Sequence, residues 1–358
     1  MNIRCGLVGC GNISQQIHLP AWNAIAGLSI EALCDKSEVV LGRVGKQLGI
    51  SRCYTQIDRF LDKNPRLDFI SIATPGFTHY GIAAKVIERG LNTIIEKPIA
   101  LSLKEALDLK ARAERAKVLV CVVQNYRFRD SVLAVRRAYN EGLIGRIYQV
   151  DTTLHGESIY NEEAPWSWEE RRHRVLLYEH AVHLLDLQVY FAGGIEKVLA
   201  VIVNVDEQLN CTKSIYAMVK HKNEAVGNID LQLFSSSNYA QSEIFGTAND
   251  ATIKFSPESY RLYSGRVNPL DELYGDFRRI MNFAVPALIG KVKPPKIPRQ
   301  AHSHYRLFSR FVQALQDRSV PLPVSIDDVL PTMELLEALA VPTYGSQPRF
   351  EPFTAHRA

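Results

Sequence analysis

The sequence predicts an α/β protein of two domains: an N-terminal doubly wound parallel sheet, then an α+β domain with a large, mostly antiparallel sheet. Apolar β-type runs alternate with helix-period segments through about the first 125 residues, as in βαβ units. After Gly145 the strand-like stretches lengthen and alternate polar with apolar residues, which is typical of a sheet with one open face. The 358 residues also exceed the ~250 to 300 at which single cores stop growing. We therefore expect domains at 1–125 and 126–358.

The first domain is expected to contain five strands and four helices. The strand-like runs are Ile3–Gly9, Ile30–Cys34, Phe69–Ala73, Thr93–Ile95 and Val118–Val123. The helix-period segments are Ile13–Ile25, Val39–Leu48, Thr78–Glu88 and Leu103–Ala116. Because the first strand is mostly apolar, we expect a parallel sheet that is covered on both faces.

The second domain is expected to consist of strands, one helix before most of them and two helices after them. The strand-like stretches are Arg146–His155, Val198–Val205, Ser214–Lys220, Gly227–Phe234 and Ser242–Phe245. The expected helices are Tyr178–Ala192, His304–Leu315 and Ile326–Leu339. The Pro294-Pro295 pair predicts a loop over Lys291–Pro298.

Composition excludes several classes of protein. The formal charge is +4 and the basic residues are scattered, which argues against nucleic-acid binding. No apolar run approaches the ~18 residues that a membrane span needs, so we expect no membrane insertion and a cytoplasmic location. The six cysteines lack zinc-ligand spacing and are expected to be buried free thiols.

A glycine-rich turn follows the first strand and opens a helix. It reads Gly9-Cys10-Gly11-Asn12-Ile13-Ser14, in the context that a dinucleotide-binding Rossmann loop requires. Gly9 permits the tight turn, and Gly11 lets the main chain approach a pyrophosphate at the helix N-terminus. Ser14, a small residue, stands where a third glycine is usual.

Asp35 follows the second strand, 24 residues after Gly11. A carboxylate at this place can bind both ribose hydroxyls of adenosine and repel a 2′-phosphate. The sequence therefore favours NAD as the cofactor, while Lys36 and Arg43 leave NADP open. A purely structural alternative is that Asp35 caps a helix.

Two further segments end strands at the carboxyl edge of the sheet, where ligands bind in doubly wound folds. Thr74-Pro75 with His79 follows one strand, although His79 is open to interpretation as a helix-surface residue. Glu96-Lys97-Pro98 follows another. The ammonium of Lys97 can bind a substrate hydroxyl and stabilise the alkoxide that forms as hydride leaves.

These motifs, in this order, resemble those of the Gfo/Idh/MocA oxidoreductase family. Gln124-Asn125-Tyr126-Arg127-Phe128 is similar to the family's Asn-x-Arg segment, and His183-Leu184-Leu185-Asp186 is similar to its helix with the substrate-side histidine. The similarity extends over essentially the whole chain. It implies an NAD(P)-dependent dehydrogenase or reductase that acts on a hydroxyl or keto carbon of a sugar, cyclitol or sugar derivative. It also implies a homo-dimer or homo-tetramer.

The resemblance implies roles for individual residues. Lys97 would polarise the reacting oxygen, His183 would act as general acid or base, and Glu179 would orient it, which agrees with their i,i+4 spacing. The expected cofactor-binding residues are Gly9, Gly11, Asn12, Ile13, Asp35, Thr74, Pro75, His79, Glu96 and Lys97. The expected substrate-binding residues are Lys97, Asn125, Arg127, His180, His183 and Trp166.

The chain also departs from the family pattern. Arg171-Arg172-His173-Arg174 replaces a glycine-rich run before the predicted helix, and these charges suit either an acidic substrate or a solvated surface. Trp166 suits either a sugar ring or loop packing. The i,i+3 spacing of His180, His183 and Asp186 imitates a metal cluster, but we expect no metal.

Two other functions compete with simple hydride transfer. Related folds use transient NAD-linked oxidation for hydrolysis or elimination without net redox change. The architecture also serves dinucleotide-binding regulators that do no chemistry. Glu96, Lys97 and His183 count against the regulator, because a binding protein does not need them.

Overall fold

The computed structural model describes residues 3–156, 175–206, 211–264 and 297–340. These residues form two compact units. The first contains 3–146, 246–251, 260–264 and 297–330, and the second contains 147–156, 175–206, 211–245, 252–259 and 331–340. The expected division of the chain into two domains, 1–125 and 126–358, stays a prediction.

The first sheet has six strands in the order β3-β2-β1-β4-β5-β6. Its strands are β1 (Ile3–Val8), β2 (Leu28–Cys34), β3 (Cys53–Tyr54), β4 (Phe69–Ile72), β5 (Asn92–Ile95) and β6 (Val120–Val122). Every pairing is parallel. The predicted doubly wound sheet is confirmed, and β3 is an addition.

Helices accompany this sheet. The glycine-rich turn leads into a π-helical turn, Ser14–His18, and then α1 (Leu19–Asn23). There follow α2 (Glu38–Leu48), α3 (Ile57–Lys63), α4 (His79–Glu88), α5 (Leu103–Ala116), α6 (Asp130–Asn140) and, late in the chain, α8 (His302–Gln316). Short 3-10 turns occupy Gly76–Thr78, Asn125–Phe128 and Arg299–Ala301. The sequence analysis missed α3 and α6.

The second sheet has seven strands in the order β13-β12-β11-β7-β10-β9-β8. They are β7 (Ile147–Gly156), β8 (Ile195–Asp206), β9 (Cys211–His221), β10 (Val226–Leu233), β11 (Tyr239–Gly246), β12 (Asn249–Phe255) and β13 (Glu258–Ser264). β9 pairs antiparallel with β8 and β10, whereas β7 and β10 run parallel. The predicted mostly antiparallel sheet is confirmed, and β12 and β13 were not foreseen.

A π-helical turn, Val175–Ala181, leads into α7 (Val182–Ala192), which packs on the second sheet. Gln188 of α7 fixes the helix there, because its side-chain oxygen accepts a hydrogen bond of 2.7 Å from the Thr152 hydroxyl. Its amide nitrogen lies 3.3 Å from Nε2 of His221, whose Nδ1 lies 2.7 Å from the Gly193 carbonyl oxygen. Gly227 makes room, since a Cβ there would lie 1.9 Å from the Gln188 amide nitrogen. The last helix is α9 (Ile326–Ala340).

The cysteine thiols are free, five of them buried and Cys53 partly buried, which confirms the expectation from the sequence. Burial raises the pKa of Cys10 and of Cys34 to about 12. These thiols therefore stay protonated and unreactive near neutral pH. Among the described residues, no helix has both the length and the apolar character to cross a bilayer.

We expect Gly227→Ala to lower the free energy of unfolding by about 1 to 3 kcal/mol, because its methyl group displaces Gln188 from a packed interior. Urea denaturation followed by circular dichroism measures the change. Gly42→Ala, in α2, is the matched control: nothing lies within 4 Å of the added Cβ. Equal stability of the Gly227 variant and the wild-type protein would contradict the described packing of α7.

Candidate active site

The turn after β1 is possible only with glycine at its first position. Gly9 has a φ of 89°, a conformation that L side chains rarely adopt. A Cβ there would also lie 2.5 Å from the carbonyl oxygen of Ala73, just after β4. Gly9 thus brings the loops that end β1 and β4 together at the carboxyl edge of the sheet.

Gly11 is different, because a Cβ at this position would meet no atom of the described residues within 4 Å. The space beside it is open to a ligand. Asn12 and Ile13 are exposed around the same turn, Ile13 to 40% although it is apolar. Ser14 is buried, and its hydroxyl donates a hydrogen bond to the Gly9 carbonyl, so it braces the loop as well as replacing a glycine.

Asp35, at the end of β2, is bonded to this loop. One carboxylate oxygen accepts the Cys10 main-chain N–H at 2.7 Å, and the other accepts the Ser37 N–H at 2.9 Å. Ser37 is the residue that caps α2, by accepting the Val40 N–H, so the alternative of Asp35 as the cap is wrong. A carboxylate has about four acceptor positions, which leaves capacity for hydroxyl donors. The open space, the exposed turn and Asp35 together fit the adenosine diphosphate part of a dinucleotide.

His79 connects two loops at the same edge. Its ring is fully buried, with Nδ1 2.6 Å from the Pro98 carbonyl oxygen and Nε2 2.7 Å from the Thr74 carbonyl oxygen. The alternative of a helix-surface residue is therefore wrong. Thr74 also receives a hydrogen bond from the Thr78 hydroxyl, while Pro75 is exposed.

Glu96 and Lys97 follow β5. Lys97 is half-buried, and its main-chain N–H donates to Oε2 of Glu96 at 3.2 Å. The other oxygen, Oε1, lies 2.7 Å from Nε2 of His18 and 3.6 Å from Nε2 of His304. Burial by itself raises the pKa of Glu96, but contacts with the two imidazoles outweigh burial and hold that pKa well below its usual value.

The sequence analysis missed both histidines of this cluster. His18 ends the turn after the glycine-rich loop, and His304 belongs to α8, far along the chain. Only the proximity of His18 to the loop was a usable signal. Nε2 of His18, Nε2 of His304 and a Glu96 oxygen lie within 4.8 Å of one another, so these three side chains have the spacing to hold a cation. The ligand atoms of His180, His183 and Asp186, which are described residues, do not form such a group.

Asn125 and Arg127 are buried within the first unit. The Asn125 amide nitrogen donates to the Ser303 hydroxyl at 3.2 Å, and an Arg127 guanidinium nitrogen donates to the Asp328 carbonyl at 3.0 Å. These contacts attach the segment after β6 to residues at the starts of α8 and α9. Their role in substrate binding stays a prediction.

The second unit carries the predicted histidine side of the site. Glu179 and His180 lie in the π-helical turn and are partly buried, and His183 is in the first turn of α7. The single regular helix expected over this segment is wrong, because a π-helix bonds i to i+5 and changes the angle between Glu179 and His183. Asp186 is buried and accepts a hydrogen bond of 2.9 Å from Thr332. Trp166 and Arg171–Arg174 lie outside the described residues.

Two family models match the chain and together cover about two thirds of it. The first, an oxidoreductase family with an NAD-binding Rossmann fold (GFO_IDH_MocA), matches residues 3–124. The second, the GFO/IDH/MocA C-terminal domain, matches residues 132–252.

Individual proteins are similar over most of the chain. D-apiose dehydrogenase of Paraburkholderia graminis is 27% identical over 259 residues, which are 72% of this chain and 68% of that protein. The WlbA dehydrogenase of Bordetella pertussis, solved with NADH and UDP-GlcNAcA, has a TM-score of 0.78 at 20% identity and covers 96% of this chain and 95% of its own. Levoglucosan dehydrogenase, solved with NADH, has a TM-score of 0.76 at 18% identity and covers 96% and 97%. At these identities the two structures show that the fold is shared.

We expect Gly11→Ala to keep the wild-type melting temperature and to weaken NADH binding by at least ~10-fold, because the methyl group would enter the space predicted for the pyrophosphate and not the protein interior. NADH fluorescence titration and thermal denaturation measure the two quantities. Gly9→Ala is the contrasting variant and should lose both stability and binding. Unchanged NADH affinity in the Gly11 variant would rule out a pyrophosphate at this turn.

Proposed function

The chain belongs to the GFO/IDH/MocA oxidoreductase family, and from that premise we propose that it transfers a hydride between NAD and a hydroxyl or keto carbon of a sugar, cyclitol or sugar derivative. Its relative, D-apiose dehydrogenase, is named for a sugar substrate. The observation that carries the proposal is the carboxyl edge of the first sheet, where a dinucleotide loop follows β1 and Lys97 follows β5, two parallel strands with β4 between them.

The geometry of that edge supports the proposal in two steps. Gly9, Gly11 and Asp35 end β1 and β2 and offer an open turn and carboxylate acceptors to one half of a dinucleotide. Thr74 and Lys97 follow β4 and β5, the other half of the sheet. In a doubly wound fold the nicotinamide half of the cofactor binds over those later strands.

A bound nicotinamide would supply the carbon that accepts or gives the hydride. Lys97 would donate a hydrogen bond from its ammonium to the reacting oxygen and stabilise the negative charge that develops there. His183 would remove the hydroxyl proton at its imidazole, and Glu179 would orient that ring. For carbonyl reduction the same residues would act in reverse. Glu96 would hold the main chain of Lys97 through the 3.2 Å hydrogen bond.

The other two functions are less well supported. A regulator has no need of Lys97, and a hydrolase or lyase with the same fold would give product without net change in the cofactor. Incubation with NAD⁺ and D-apiose, followed by absorbance of the reduced nicotinamide and by product analysis, separates the three. Product without absorbance change favours the hydrolase or lyase.

The proposal extends to cellular setting and assembly. Buried free thiols suit a reducing compartment, so we place the protein in the cytoplasm. We also propose a homo-dimer or homo-tetramer with no nucleic-acid or membrane partner. Large apolar side chains exposed on β8 and β9 offer a surface to a second copy; they are Leu199, Ile202, Val205, Tyr216 and Met218.

We expect Lys97→Ala to lower kcat/KM for NAD⁺-linked sugar oxidation at least ~100-fold, because the alkoxide loses its charged donor. NADH affinity should change only a few-fold. Steady-state kinetics and NADH titration measure both quantities. Lys104→Ala, an exposed lysine on α5, is the matched control and should behave as the wild-type protein does. Full activity of the Lys97 variant would reject the assigned role.

We expect Asp35→Asn to reduce NADH affinity by ~10-fold and to raise NADPH affinity, because the amide is uncharged and no longer repels a 2′-phosphate. Asn keeps the size of the side chain and one acceptor for the Cys10 or Ser37 N–H. The measurement is the ratio of the NADH and NADPH dissociation constants. A wild-type protein that prefers NADPH would contradict the choice of NAD.

A further inference from the structure

The side chains of His18 and His304 meet the buried carboxylate of Glu96 from two separate helical segments. Glu96 is 6% exposed, His18 is fully buried and His304 is 6% exposed. His18 approaches at 2.7 Å and His304 at 3.6 Å, both on the same carboxylate oxygen. The second carboxylate oxygen accepts the main-chain N–H of Lys97. The cluster therefore contacts Lys97, the residue that binds the substrate oxygen in the proposed reaction.

A buried carboxylate needs hydrogen-bonding partners, and the two imidazoles near Glu96 differ in their own contacts. His18 has partners at both ring nitrogens, since its Nδ1 lies 3.2 Å from the Ser71 hydroxyl. Contacts on both sides therefore fix the orientation of the His18 ring. Among the described residues, none forms a hydrogen bond with the buried Nδ1 of His304. Burial lowers the pKa of His304, and Glu96 offsets this only in part, so His304 is neutral at neutral pH.

We propose that His304 and His18 are positioning residues of the active site: together they hold the Glu96 carboxylate under the main chain of Lys97 and so fix the direction in which the lysine side chain leaves β5. The proposal rests on the proposed function, which makes Lys97 the residue that binds the reacting oxygen. His304 acts only through Glu96.

Aromatic packing keeps His304 in reach of Glu96. The rings of Trp22 and Phe308 are stacked with centroids 3.9 Å apart, and Phe308 also contacts the rings of His18 and His304. Phe308 lies one turn after His304 on α8. The spacing of α8 from α1 is thus set by apolar contacts, and the histidine does not have to hold the helix in place itself.

The arrangement depends on pH because protonation of His304 disturbs it. Among the described residues, the groups that face His304 are Glu96, the imidazole of His18 and the guanidinium of Arg129, and the last two lower the pKa of His304. When the pH falls below the usual histidine value, His304 gains its proton and attracts the Glu96 carboxylate. That attraction competes with the hydrogen bond to the Lys97 N–H. The native arrangement is therefore present at neutral pH and is lost on acidification.

The test is an NMR titration of the full-length protein labelled with ¹⁵N-lysine. The Lys97 amide signal is identified by its absence in Lys97→Arg, and its position is followed from neutral to acidic pH. We expect the wild-type signal to shift on acidification. We expect His304→Gln to remove that shift, because an amide can reach Glu96 but cannot gain a proton. His302→Gln, a histidine replacement on the same helix, is the matched control and should keep the shift.

Turnover of D-apiose with NAD⁺ gives a second readout. His304→Phe, which has no donor, should lower kcat by ~10-fold with KM and NADH affinity within ~2-fold, since a displaced lysine weakens the transition state more than binding. His304→Gln should recover most of the rate. Other groups of the proposed site would also make kcat/KM depend on pH, so the Lys97 amide is the primary measurement.

Several results would overturn the proposal. One is a wild-type Lys97 signal that does not move with pH, and another is a shift that persists in His304→Gln. A third is a metal ion that copurifies at one equivalent and is lost in His304→Gln, because the cluster would then be a metal site. A protein that binds no NADH but keeps the His304-dependent shift would reject the proposed function and leave the positioning of Lys97 standing.

Discussion

The burial of the Glu96 carboxylate is the constraint on which the first unit depends. An uncompensated carboxylate in a protein interior costs several kcal/mol, so the chain must bring partners to it. The partners come from different parts of the sequence: His18 after the glycine-rich turn, His304 on α8, and the Lys97 N–H beside it. The contacts of Glu96 therefore join distant parts of the chain at the carboxyl edge of the first sheet.

The sequence predicts those parts of the fold that depend on a pattern within one short segment of the chain. Five strands of the first sheet were found because each is a mainly apolar run, but β3 has only two residues, both partly buried, and offers no run to detect. The same holds for the site. Gly9, Asp35 and Lys97 stand at fixed places relative to strands, whereas His304 acquires its position only from the packing of α8 against the first helix. No spacing in the sequence carries that information.

The second unit shows another limit of periodicity. An apolar repeat predicts a helix over Tyr178–Ala192 but cannot distinguish α from π hydrogen bonding, which changes the direction of each side chain. Both π-helical turns lie at predicted site segments, one after the glycine-rich loop and one at Glu179. Asn125 and Arg127 show the converse. Their motif resembles a binding segment, and the structure uses their polar atoms to attach the starts of two later helices.

The buried thiols have a practical consequence. Five of the six cysteine side chains are shielded from solvent, and desolvation raises the pKa of the partly buried Cys53 as well. Maleimide reagents attack thiolates that they can reach, so we expect the wild-type cysteines to react with them very slowly. A single cysteine introduced on the exposed surface of each unit would then accept a fluorophore selectively. The native sequence thus already provides a background for measuring distances between the two units in solution.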